Sequence, residues 1–528
     1  MLDMVIRNGR IVDGTGCLEY YGNIGIKGGR ITVIGDFNEP AEMILDAKDH
    51  IVAPGFIDIH SHSDVCPFIL GAEAKSKLYQ GITLEITGNC GISCLPITDE
   101  SRERLTNFFG TALQLPLDGS LQDDTLNDYA QHLEATLPYT NMGMLIGHGT
   151  LRGCVVGMEM GKANIEQIKS MCKILERELK KGAFGMSLGL IYPPSSYGDI
   201  DEFVALAQVL KEYEALLTVH MRSESTKIFE AVDEMLEVAK ATGVHLEISH
   251  LKLIGKSQWG QADKLIQRIR KARAEGINVT CDQYPYTATS TGLSALVPKW
   301  AHDGGSGKMC ERLTVPDERL LTEIEEEIER RGGPHAVMIV GDRGKHKEFE
   351  GKRLDEIAET LQLSPSLAVA KLLIDAGGGV DCCYFCLSEE DMLTIMQEPY
   401  IAVGSDGYAY TYDHSYMTTN PHPRSFGTFP RFFQTIREHN MMSIEKAVSK
   451  ATGVTADILG LKDRGKLRPG YIADIVIFDE KAIRDKSTYI DSLEKPEGIN
   501  AVILGGTLVL KDGEDAGIRK GEFVRHGR

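Results

Sequence analysis

Gly55-Phe56-Ile57-Asp58-Ile59-His60-Ser61-His62 decides how this chain is read. An apolar run from Ile51 to Ile59 ends in two histidines one residue apart. On a β-strand, residues two apart point to the same side. The stretch therefore predicts a strand whose C-terminal end presents His60 and His62 to one point. Imidazole suits zinc and similar divalent ions. A lone His-x-His can equally be a plain hydrogen-bonded pair, so the reading turns on whether other strand ends bring further donors.

They do. Cys90 lies in Thr87-Gly88-Asn89-Cys90-Gly91, after a second apolar run. His220 ends Leu216–His220, His250 ends His245–His250, and Asp406 follows Ile401–Ser405. The candidate strands are Gly55–His60, Ile82–Thr87, Met142–Gly147, Gly182–Ser187, Leu216–His220, His245–His250, Ile277–Gln283 and Ile401–Ser405. Amphipathic stretches alternate with them: Ile165–Lys181, Ile200–Tyr213, Ser225–Thr242 and Gln261–Gly276. Alternating strands and helices are the pattern of βα units on a parallel sheet. Eight such units predict an α/β fold, a TIM-type (β/α)8 barrel with its site at the C-terminal ends of the strands.

Residues 1–54 and 464–528 have a different texture: short β-like runs broken by Asn-Gly, Asp-Gly and Gly-Gly. They predict a small β-domain built from both termini, with the barrel occupying 55–463. The gap from Tyr284 to Tyr400 is too long for one loop. Part of it, about 294–350, is expected to be a lid-like insertion over the barrel mouth.

Composition narrows the function. The 528 residues are 42% hydrophobic and 25% charged, with a net charge of -19. That balance suits a soluble globular protein and argues against nucleic acid or an anionic membrane as partner. Eleven cysteines show no framework spacing, which fits a reducing compartment. The N-terminus lacks the basic and apolar segments of a signal peptide. The chain is read as cytoplasmic; homo-oligomer formation stays open.

A thiolate among imidazoles favours zinc over magnesium or calcium. Zinc lowers the pKa of water and polarises a carbonyl oxygen. A carboxylate must then carry the proton to the leaving group, and Asp406 is the candidate. Metal-assisted hydrolysis of an amide follows. In a protein this acidic, a carboxylate product needs local cations; Lys252 and Arg424 are placed to supply them, and Tyr284 and Ser290 could add donors. Tyr286 competes with Tyr284 for that role. His148, in Gly147-His148-Gly149-Thr150, either contacts substrate or holds a neighbouring loop.

The pattern resembles the amidohydrolase superfamily and, more narrowly, the D-aminoacylases or N-acyl-D-amino-acid deacylases. Gly55–His62, Gly88–Ser93, Gly147–Arg152, Gly189–Pro194, His220–Glu224, Ile248–Lys252, Gly404–Gly407 and Pro421–Arg431 carry the resemblance. It implies a β-sandwich from both termini, with Cys90 in place of the superfamily's carboxylated lysine. It also implies a tightly held zinc on Cys90 and His220, with a weaker second position near His60, His62 and His250. Asp406 would be catalytic, Lys252, Tyr284, Ser290 and Arg424 would bind substrate, and the substrate would be a small N-acyl-D-amino acid. Leu251 departs from the family's usual second histidine, and Tyr408-Ala409-Tyr410-Thr411-Tyr412 is richer in tyrosine than expected. Two alternatives stand beside this reading. One is a cyclic amidase of the dihydropyrimidinase or hydantoinase type, which would carry a carboxylated lysine on the fourth strand, where Gly182–Ser187 offers none. The other is a non-catalytic barrel relative.

Overall fold

A computed structural model describes residues 1–112, 123–417 and 419–527. Eight parallel strands form the barrel wall: Phe56–Asp58, Ile82–Thr87, Asn141–Gly147, Gly185–Gly189, Leu216–His220, His245–Ile248, Val279–Gln283 and Ile401–Val403. They are hydrogen-bonded in sequence order. The first and last meet just past their ends, where Ser61 bridges Gly407 in parallel and the Asp406 amide donates to the His60 carbonyl at 2.8 Å. Ile57, Leu84, Ile86, Leu145, Phe184 and Leu216 share a core inside the barrel.

The helices around the barrel start and stop where their sequence signals say. Asn164 caps Ile165–Lys180 through the Gln167 amide, and Asp199 caps Ile200–Glu212 through the Glu202 amide. Ile228–Thr242 ends at Gly243 in the left-handed region (φ 71°). Their apolar stripes, such as Met171-Leu175-Leu179, are buried against the strands.

Strands from both termini join in one nine-stranded sheet. Ile51–Pro54, which leads into the barrel, lies between Leu2–Ile11 and Ile475–Phe478. Alternation divides this sheet: Val52, Ile475 and Ile477 face a core shared with Met4, Ile6, Ile24 and Ile26. Ile51, Ala53, Val476 and Phe478 face the barrel's helices.

Between the seventh and eighth strands, Thr289–Gly292, Asp381–Tyr384 and Val337–Gly341 form a separate antiparallel sheet. Helices Glu318–Arg330, Leu354–Leu361 and Pro365–Asp375 share one core with it. This inserted unit is wider than the 294–350 expected from sequence. Two of its three strands, Thr289–Gly292 and Asp381–Tyr384, have only four residues each, too few for alternation to be legible, and Asp381-Cys382-Cys383-Tyr384 does not read as a strand by period.

The first strand corrects one expectation. It ends at Asp58, and the chain bends at Ile59 and His60. Ile57 faces the barrel core and Phe56 the helices, so strict alternation would turn His60 outward with Phe56. The bend aims the histidines, not the strand period. His220 behaves as expected: Leu216 faces inward, and His220, four residues on, ends its strand on the same side.

Candidate active site

The strand ends converge on a buried cluster at the floor of a cavity of about 1860 Å³. His60 Nε2 lies 3.3 Å from Cys90 Sγ and 3.5 Å from Asp406 Oδ1. His250 Nε2 is 3.4 Å from the same sulfur, and His62 Nε2 is 3.0 Å from Asp406 Oδ1. Ligand atoms of His60, Cys90, His250 and Asp406 all lie within 4.8 Å of one another. A second such group, sharing His250, comprises His220, Glu224 and His250.

Three of these residues sit in the left-handed backbone region: Cys90 (φ 53°), His250 (φ 37°) and Asp406 (φ 51°). Such conformations cost a non-glycine residue about 1–3 kcal/mol and persist where surrounding structure enforces them. Around Cys90 the enforcement comes from its glycines. A Cβ on Gly88 would meet the Leu145 carbonyl at 2.0 Å, and one on Gly91 would meet the Gly189 amide nitrogen at 2.6 Å. The turn can therefore lie against the third and fourth strands only without those side chains.

Sequence reading passed over two carboxylates. Asp282, inside the seventh strand, accepts from or shares a proton with His60 Nδ1 at 2.9 Å and accepts the His250 amide at 2.9 Å. It fixes which nitrogen of His60 faces Cys90. Its signal was there, two residues before Tyr284 and with the parity of an inward residue. The second, Glu224, lies 3.5 Å from His220 Nε2, 3.1 Å from His250 Nδ1 and 2.6 Å from Lys252 Nζ.

The residues expected to hold substrate line the same cavity. Arg424 Nη1 pairs with Asp406 Oδ2 at 2.7 Å, and its Nη2 donates to the Ser290 carbonyl at 3.2 Å. Lys252 is held by Glu224 and by His250 Nδ1 at 2.7 Å. The ring of Tyr284 lies between these cations, 5.8 Å from Lys252 Nζ and 5.4 Å from the Arg424 guanidinium, and its buried hydroxyl has no hydrogen-bond partner. Tyr286 points elsewhere and donates to Asp485 at 2.8 Å. Of the two tyrosines, Tyr284 faces the cavity. His148 does not reach it: its ring nitrogens are engaged by Ser195 at 2.8 Å and Glu202 at 2.7 Å, so it fixes the loop after the fourth strand.

Charge in the site favours an ionised thiol and carboxylate, and their negative charges in turn push His60, His62 and His250 toward protonation. Burial opposes a Cys90 thiolate, but the charges of His60 and His250 outweigh it and hold the thiol well below its ordinary range. Burial likewise opposes Asp406 ionisation; Arg424, with His250 and His62, holds the carboxyl well below the usual carboxylate range. Burial keeps His220 neutral, and both of its buried ring nitrogens lack a hydrogen-bond partner. Buried polar atoms are ordinarily satisfied. A neutral imidazole whose acceptor nitrogen is unengaged, beside a thiolate, fits a divalent, thiophilic metal.

Behind the cluster, Lys77 is 1% exposed. Its ammonium donates to Asp58 and Ser405 at 2.6 Å each and lies 3.5 Å from Glu85. Ser405 Oγ in turn bonds Asp58 at 2.6 Å. This network ties the end of the first strand to the segment after the eighth, next to His60, His62 and Asp406. Lys77→Met would leave two carboxylates buried without their cation, a loss of about 3–5 kcal/mol. A lowered denaturant midpoint in equilibrium unfolding is the expected result.

Fold and site together define a barrel hydrolase with a thiolate, imidazole and carboxylate metal-type donor set at its strand ends. The chain belongs to the amidohydrolase family, whose profile matches residues 43–294 and 407–510. It is 33% identical over 510 residues to N-acyl-D-glutamate deacylase of Alcaligenes xylosoxydans xylosoxydans, covering 96% of this chain and 93% of that protein. It is 29% identical to D-aminoacylase of the same organism, covering 99% and 97%. The crystal structure of N-acyl-D-glutamate deacylase from Bordetella bronchiseptica, complexed with zinc and a phosphonate mimic of the tetrahedral intermediate, matches with a TM-score of 0.82 at 30% identity over 99% of each chain. A D-hydantoinase structure, at 15% identity and a TM-score of 0.56, shares the fold.

Proposed function

We propose that this protein is a zinc-dependent N-acyl-D-amino-acid deacylase. It hydrolyses the linear amide to release a carboxylate and a free D-amino acid. The carrying observation is a pair of buried donor groups that share His250: Cys90 with His60, His250 and Asp406, and His220 with Glu224 and His250, with Asp406 held between His60, His62 and Arg424. Similarity to proteins named for this reaction, one solved with zinc and a tetrahedral mimic, supports the same reading.

Cys90 and His220 would hold the tighter zinc, and His60, His62 and His250 a weaker second position. The metal supplies an acidified water and a polarised amide carbonyl. Asp406 accepts the proton of the attacking water and passes it to the leaving nitrogen as the C–N bond breaks. Arg424 and Tyr284 take the α-carboxylate, with the Ser290 segment completing that wall and Lys252 adding positive charge. Arg424 thus exchanges one carboxylate partner, Asp406, for another. The free state of every cysteine accords with a cytoplasmic location.

Acetate release is the direct test. Zinc-replete protein should hydrolyse N-acetyl-D-amino acids and leave their L-enantiomers, and chelation should abolish the reaction until zinc is returned. Absence of release from every D-substrate would overturn the reading. A cyclic amidase is disfavoured by the fourth strand, Gly185–Gly189, which carries no lysine.

A further inference from the structure

The cavity extends from the metal-type cluster under the inserted unit, and one wall of that extension carries a carboxylate that the mechanism does not use. Asp381 begins the middle strand of the inserted sheet, opposite Gly292 and Gly341. Its partners on those strands carry no side chain, Thr419 packs over Gly341, and Asp381 lines the cavity. Among the described residues it makes no hydrogen bond, and no cation stands within 4 Å of it. The residue is partly exposed and lines the cavity.

Its surroundings are specific. Arg424 and Arg343 are the cations that act on it, and burial still pushes its carboxyl up to about 7. Neither is free to turn wholly toward it. Arg424 is committed to Asp406 at 2.7 Å and, on the reading above, to the substrate α-carboxylate. Arg343 is laid along the backbone at Gly379, where a Cβ would meet its Nε at 2.2 Å. On the other side stand Tyr408 and Tyr410, stacked at 5.0 Å, both lining the cavity. Asp381 is the charge that weighs most on the Tyr408 hydroxyl. Tyr408 also lies 5.7 Å, ring to ring, from His62, so this wall adjoins the reacting centre.

In its ionised form, a carboxylate short of donors that shares a cavity wall with two tyrosine rings is complementary to a hydrogen-bond donor and is repelled by another carboxylate. We propose that Asp381 is a specificity-determining residue that selects substrates whose D-side chain ends in a hydrogen-bond donor, an amide, ammonium or guanidinium, over acidic side chains. The inference rests on the deacylase reading. It separates this chain from the relatives named for D-glutamate and D-aspartate despite identities of 33% and 31%.

The test is a kcat/KM comparison of N-acetyl-D-glutamine, N-acetyl-D-lysine and N-acetyl-D-glutamate with the zinc-replete full chain. Wild type should favour the two donor substrates over the glutamate by at least about tenfold, a size that a hydrogen bond to a charged group supports. Asp381→Asn should bring lysine and glutamate substrates close to parity, and Asp381→Lys should invert their order. Because each result is a ratio within one protein, general damage to the variant does not imitate it. Preference of the wild type for glutamate, or an unchanged ratio in Asp381→Asn, would overturn this assignment alone. Failure to hydrolyse any D-substrate would overturn it together with the deacylase reading.

Discussion

Asp406→Asn is expected to lower kcat by on the order of 10²- to 10⁴-fold, the range that a positioned general base supplies, while bound zinc stays near its wild-type content. The two halves of this result have separate causes. The side-chain amide keeps the shape of the carboxylate but cannot take up a proton. Retention of metal follows because the soft and imidazole donors, Cys90, His220 and His250, are untouched. Arg424, deprived of its partner at 2.7 Å, would remain a cation for the substrate carboxylate, so KM should change far less than kcat. Metal analysis by mass spectrometry beside steady-state kinetics checks both parts. Loss of zinc in Asp406→Asn would make this carboxylate a structural ligand first and would remove it as the proton carrier.

Cys90→Ala is expected to remove the tight metal and, with it, turnover. Losing an outer partner of a metal ligand typically costs about 10–100-fold in affinity, and losing a direct thiolate donor should exceed that. The sulfur lies within 3.4 Å of nitrogens on two different imidazoles, so its charge also holds the histidines together. Without it, His60 and His250 face each other across 4.9 Å between ring centroids. Competition titration with a chromophoric chelator measures the change. Full occupancy at wild-type affinity in Cys90→Ala would show that the thiol is a bystander. His220→Ala separates the two groups of donors: it should weaken the metal that Cys90 holds while leaving the His60–Asp406 side intact.

How far the sequence reached can be seen residue by residue. His220 was legible because it ends a strand in phase with inward residues, and period two survives in any regular strand. Cys90 was legible because a Gly-Asn-Cys-Gly turn after a strand has few other uses. His60 and His62 were identified for a reason that was only partly right: they lie beyond the strand, aimed by a bend at Ile59 and His60. Asp282 has the inward parity of its strand, but neither it nor Glu224 carries a local mark of its partner, an imidazole some 222 or 26 positions away.

By itself the sequence determined the order of the barrel's strands and helices, the donor types at the strand ends and hence the class of chemistry. These are local properties: period, capping and side-chain identity act within a few residues of one another. Only the tertiary structure decided which donors share a point, that Tyr284 and not Tyr286 faces the cavity, and that Arg424 is paired with Asp406 at rest. It alone brought Asp381 to the barrel mouth. Those facts depend on closure of a barrel between residues 58 and 401 and on the docking of an inserted unit. Distances across such closures are set by packing of the whole core, which no short stretch of chain encodes.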